Sequence, residues 1–163
     1  MLTEPTIVEK PPQPFAAIAL KLRQPEISEK APPLIDDVIK WVESKGGELT
    51  GPPFFNYVGF HPGGMMEMHV GMPTETVLPA DSGFVTGSIP GGRYASITAT
   101  VPYHELHDAN MKLDDWTRRQ GHDFAGRVES DSFVDATRLE IYHRDPGEDP
   151  SGHPVTEIAF RIK

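Results

Sequence analysis

Apolar and polar positions alternate with a period of two along Thr137–Arg144 (TRLEIYHR). Leu139, Ile141 and His143 fall on one face of the predicted strand, Glu140 and Tyr142 on the other. Asp145–Pro146 ends it. A carboxylate inside an apolar strand must face water or sit in a place built to receive it. Further strands are predicted at Thr6–Lys10, Phe15–Leu22, Phe54–Phe60, Met65–Met72, Phe84–Ile89, Arg93–Val101 and Val155–Ile162. His61–Gly64 and Pro90–Gly92 read as hairpin turns between neighbouring strands. Two stretches switch to a helical period. Over about Pro33–Ser44, Leu34, Ile35, Val38, Ile39, Trp41 and Val42 form an apolar face, with Asp36, Asp37 and Lys40 outside and Gly46–Gly47 as the stop. Over about His104–Gln120, Leu106, Ala109, Leu113 and Trp116 share a face and Gly121 ends the helix. Pro73–Ser82 reads as a polar linker and His122–Asp135 as a loop with one short strand.

The order of elements repeats. Each half runs strand, helix, strand, strand, and each helix carries a Trp (Trp41, Trp116) five residues before its terminating Gly (Gly46, Gly121). Strand Phe54–Phe60 corresponds to Thr137–Arg144, and Met65–Met72 to Val155–Ile162. The expected fold is therefore α+β: one domain over residues 1–163, a tandem β-α-β-β repeat with halves at about 6–73 and 84–163. Joined edge to edge, the halves give one antiparallel sheet. Both helices are expected on one face, with a concave ligand groove along the seam on the other.

Composition narrows the function classes. With 163 residues, 37% hydrophobic and 24% charged, the chain is long and apolar enough to bury a core. A net charge of -9 argues against a general phosphate-binding surface, so no direct nucleic-acid partner is expected. With no cysteine, disulfides and thiol chemistry are excluded. No apolar run suits a signal peptide or a membrane span, which makes a cytoplasmic protein the expectation.

Six segments together resemble the GyrI-like small-molecule-binding family, also found as the effector-binding domain of multidrug-responsive transcription activators. They are GPPFFNYV (51–58), MEMHVGMP (66–73), GGRYASITATVPY (91–103), LDDWTRRQG (113–121), LEIYHRDP (139–146) and TEIAFRI (156–162). The resemblance implies an aromatic-rich central pocket with Glu140 pointing into it. In drug-sensing relatives that Glu meets lipophilic cations; in some free-standing relatives it serves in hydrolysis of cyclopropane-bearing compounds. Val101 stands where many relatives have Gly. No helix-turn-helix precedes the resemblance, so a free-standing form is expected rather than a one-chain activator.

Three functions follow as expectations. The first is a small-molecule-binding protein for lipophilic, planar or cationic compounds, with Glu140, Tyr142, Phe55, Tyr57, Met68 and Tyr103 as the ligand-binding set. The second is a hydrolase of cyclopropane-bearing or related electrophiles with Glu140 as acid or base. The third is a protein-interaction module, such as a gyrase modulator, whose groove would be narrow and filled by side chains. For Tyr57, Tyr142 and Met68, core packing and ligand contact both remain open; Tyr103, at a strand-to-helix corner, either closes the pocket or packs. Glu140 has a plainer alternative as a surface carboxylate paired with Arg138 or Arg144. Phe54 and Phe60 read as core, Asp114–Asp115 as surface charge, and His104 with His107 as a solvated helix end. The spacing of His104 and His107 can support two ligands, but the sequence places no third and no cofactor motif is present, so neither a metal nor a cofactor is expected.

Overall fold

The computed structural model describes residues 1–163. In chain order the strands are β1 Thr6–Lys10, β2 Gln13–Arg23, β3 Phe54–Phe60, β4 Met65–Pro73, β5 Val85–Ile89, β6 Gly92–Thr100, β7 Arg127–Glu129, β8 Ser132–Val134, β9 Arg138–Arg144 and β10 Val155–Arg161. The α-helices are α1 Ile27–Lys30, α2 Leu34–Ser44 and α3 Leu106–Arg119. The period-two strands and the two amphipathic helices of the sequence reading are all present. The segment 122–135 forms a hairpin, β7–β8, rather than a single short strand, and β8 reaches β3 through Phe60 and Phe133.

The sheet runs β1-β6-β10-β9-β3-β4-β2-β5, with every pairing antiparallel. The order is symmetric about the β9–β3 seam. The halves β2-α2-β3-β4 and β6-α3-β9-β10 thus form the tandem repeat of an α+β fold. At the seam Phe55 faces Glu140 and Tyr57 faces Arg138.

β5 and β6 do not pair, contrary to the hairpin expected at Pro90–Gly92. Instead β5 lies beside β2, and β1 lies beside β6, so each half lends its leading strand to the other half's edge. Two short links, Pro11–Pro12 and Pro90–Gly91, carry the chain between the sheet's ends, which requires the sheet to curl into a half-barrel. They meet at close range: a Cβ on Gly91 would lie 2.8 Å from the backbone nitrogen of Pro12. A side chain at 91 has no room, which explains the glycine.

Alternation sends one set of strand residues inside the curl, where Phe15, Phe54, Tyr94, Leu139 and Ala159 pack together. The other set meets the helices. α3 packs Leu106 and Leu113 on Ile97, Ile158 and Phe160. α2 packs Val38, Trp41 and Val42 on Ala16 and Met72. The expected face of the groove is corrected here: the inner face is filled by apolar side chains, and the open groove lies on the helix side, between the helices. The repeat places a helix over each half but nothing over the seam. No helix is long and apolar enough to cross a membrane.

Candidate functional site

A cavity of about 830 Å³ opens over the seam. Its floor is β3 and β9; Ile27 and Ile35 of α1 and α2 form one wall and α3 the other. The α3 wall fits β9 by simple geometry. Four residues of helix rise ~6.0 Å and two residues of strand ~6.6 Å, so a helix row and a strand row can keep step. Leu106, Asn110 and Asp114 form that helix row, opposite Tyr142, Glu140 and Arg138. Asn110 Nδ2 donates to Glu140 Oε2 at 2.9 Å, and Arg138 Nη2 donates to Asp114 Oδ2 at 2.8 Å.

Glu140 is 6% exposed. Tyr142 Oη donates to its Oε1 at 2.7 Å and Tyr57 Oη to the same oxygen at 3.0 Å. With Asn110 on Oε2, three neutral donors occupy most of the roughly four acceptor sites of the carboxylate. No cationic side chain pairs with it. Arg138 is engaged by Asp114, and Arg144 reaches Asp149 at 3.3 Å, so the surface ion pair considered from sequence does not form. Burial, followed by the Glu140 charge, holds the Tyr57 and Tyr142 hydroxyls well above the ordinary phenol range, so both stay protonated donors. Asn110 is in turn fixed by its second hydrogen, which its Nδ2 donates to Leu106 O at 2.8 Å.

Aromatic rings line the route to this carboxylate. Phe55 meets Tyr142 edge-on at 4.9 Å, and Tyr103 meets Tyr142 edge-on at 6.1 Å. Tyr103 stands half exposed at the mouth, near the acidic groups Asp145 and Glu148; burial, then those charges, raises its hydroxyl above the ordinary value.

At the other end, Arg138 lies among the rings of Phe60, Phe124 and Phe160, with its guanidinium carbon 5.4, 4.3 and 4.4 Å from their centroids. Burial works to raise the Asp114 carboxyl, but hydrogen bonds from Arg118 and Arg138 outweigh it and hold that group below the usual carboxylate range.

Of the six residues named from sequence, Glu140, Tyr142, Phe55, Tyr57 and Tyr103 lie on the cavity wall. Met68 does not: it is fully buried among Leu22, Ala31, Phe55 and Val70, and Met66, one strand repeat earlier, takes the place on the wall. Phe60 and Asp114, read as core and as surface charge, both line the cavity, as do His104 and His107. The sequence reading missed Asn110. Its signal was present: it stands four residues after Leu106 and three before Leu113, a lone amide on the apolar face of α3. The groove is open rather than filled by side chains, unlike the expectation for an interaction module.

A curled antiparallel sheet with two helices flanking an aromatic cavity defines a small-molecule-binding architecture. The chain belongs to the family of the GyrI-like small molecule binding domain, whose model matches residues 3–163. Among solved structures it is similar to the C-terminal domain of EcmrR, with a TM-score of 0.73 and 17% identity over 98% of this chain and 97% of that one. Against EcmrR in its DNA complex the TM-score is 0.75 at 17% identity over 98% of this chain, which spans only 57% of that protein. SAV2435, solved bound to tetraphenylphosphonium, aligns with a TM-score of 0.64 and 16% identity over 99% of this chain and 94% of that one. A hydrolase from Listeria innocua aligns with a TM-score of 0.55 and 11% identity over 98% of this chain and 92% of that one. At these identities the likeness is one of fold. No curated protein sequence matches this one significantly.

Proposed function

We propose that the cavity binds lipophilic, planar cations, which stack on Tyr142, Tyr57 and Phe55 and place their charge against Glu140. One observation carries this reading: a carboxylate buried in an open aromatic cavity, held only by neutral donors, with no cation of its own. Burying such a charge is costly, and a guest that brings the missing positive charge offsets the cost. The volume, about 830 Å³, falls within the range of drug-sized ligand sites. That SAV2435 was solved with tetraphenylphosphonium bound, on the same fold, supports the lipophilic and cationic parts of the reading. Titration of a fluorescent lipophilic cation tests it. Glu140→Gln is expected to weaken binding at least about tenfold; unchanged affinity would sink the role given to Glu140.

A hydrolase is the second reading, favoured by the two tyrosyl hydroxyls that converge on Oε1 of Glu140. A carboxylate so held is poised to take a proton from a water that attacks a strained electrophile, and the carboxyl so formed can return that proton to the carbon that leaves. Incubation with a cyclopropane-bearing electrophile separates the readings. Multiple turnovers, lost in Glu140→Gln, mark an enzyme, and stoichiometric complex formation marks a binder.

A further inference from the structure

We propose that the cavity has a second, anion-accepting subsite at Arg138, so that its guests include amphoteric aromatic compounds. The cationic group of such a guest sits against Glu140 and its acidic group against Arg138. The proposal rests on the cation-binding reading of Glu140 and adds the class of molecule that fills the rest of the groove.

Arg138 and Glu140 are two residues apart on β9, on one face, and both line the cavity. Their Cα atoms are therefore ~6.6 Å apart along the groove. Charges follow in order along β9 and the loop after it: Arg138 at the Phe60 end, Glu140 in the middle and Asp145 at the Tyr103 mouth.

The Arg138 end has a surplus of positive charge. Asp114 is shared between Arg138, at 2.8 Å, and Arg118, at 2.7 Å, so one carboxylate faces two guanidinium groups. Arg138 is also short of acceptors. Nη2 is taken by Asp114, Nε is buried without a partner, and Nη1 makes no hydrogen bond within the chain. The three surrounding rings fix the guanidinium plane, so an incoming acid meets a preset donor rather than a flexible one.

A guest carrying only an anion would meet Glu140, and one carrying only a cation would leave the remaining donors of Arg138 unmatched. A guest bearing both charges about one ring-width apart complements the whole row.

Rhodamine 110, an aromatic cation with a free carboxyl group, and its methyl ester rhodamine 123 differ in the feature at issue. Fluorescence anisotropy with the purified chain gives both affinities. The acid is expected to bind about tenfold more tightly than the ester, against the pull of a chain of net charge -9, which favours the more cationic ester. Arg138→Met is expected to erase that preference. Asp114→Asn, which removes the negative charge that competes for Nη2, is expected to enlarge it, and it keeps the test intact if Arg138→Met fails to fold. Equal or weaker binding of the acid overturns the subsite, as does a ratio unmoved by Asp114→Asn. Ester binding that depends on Glu140, with an acid-to-ester ratio of one, overturns the Arg138 subsite and leaves the cation site standing. Ester binding indifferent to Glu140→Gln counts against the cation site instead.

Discussion

The Tyr142 hydroxyl stabilises the buried Glu140 carboxylate, and its removal should separate folding from binding. In Tyr142→Phe the ring keeps its edge contact with Phe55 at 4.9 Å, but the 2.7 Å hydrogen bond to Glu140 Oε1 is lost. A hydrogen bond to a charged group contributes about 1.5–3 kcal/mol. Part of that is regained, because the buried hydroxyl no longer needs a partner and Tyr57 still donates to the same oxygen at 3.0 Å. The net loss of folding stability should be about 1–2 kcal/mol, seen as a lower urea midpoint at an unchanged m-value. A double-mutant cycle with Glu140→Gln identifies the source: the two changes should couple by about 1 kcal/mol, since they touch the same contact. Binding should move the other way. An under-solvated carboxylate gains more from an arriving cation, so a lipophilic cation should bind up to about fivefold more tightly to Tyr142→Phe. A stability change under about 0.5 kcal/mol, or weaker cation binding, would refute this account of the hydroxyl.

Two further outcomes test the frame. Gly91→Ala forces a Cβ to within 2.8 Å of the backbone nitrogen of Pro12, where nothing flexible can yield. It should cost about 1–3 kcal/mol in urea denaturation, whereas Gly51→Ala, whose nearest neighbour would be 3.4 Å away, should stay within about 0.5 kcal/mol of the parent. On the back of the sheet, a hydrogen bond from His143 and the ion pair with Lys10 depress the Glu157 carboxyl to about 2. Because the folded value lies below the unfolded one, this group adds stability above about pH 4.5 and loses it as pH falls toward about 2. Glu157→Gln should therefore lower stability by on the order of 2 kcal/mol at pH 6, and most of the gap to the parent should be gone at about pH 2; a gap constant with pH would refute the linkage.

Much of the floor was legible because strand alternation is a local rule. Glu140 and Tyr142 share a face by period two, and the repeat paired their strand with the one carrying Phe55 and Tyr57. Met68 shows the limit of that rule. It lies on the same face as Met66, yet only Met66 reaches the cavity, because the ends of a curled sheet and the packing of α1 decide which residues of one face stay open. Asp114 looked like surface charge because its partner, Arg138, lies 24 residues away and meets it only when α3 lies down along β9. The supposed hairpin at Pro90–Gly92 failed for a related reason: turn residues report a change of direction, not which strand lies alongside next.

The sequence alone determined the elements, the repeat and the presence of a carboxylate that needed a special place, since periodicity and turn chemistry act within a few residues. Tertiary structure decided the face of the groove, the three neutral donors around Glu140 and the pairing of Arg138 with Asp114. Those depend on packing across the seam between residues 83 apart, as for Tyr57 and Glu140, where no local pattern carries the information.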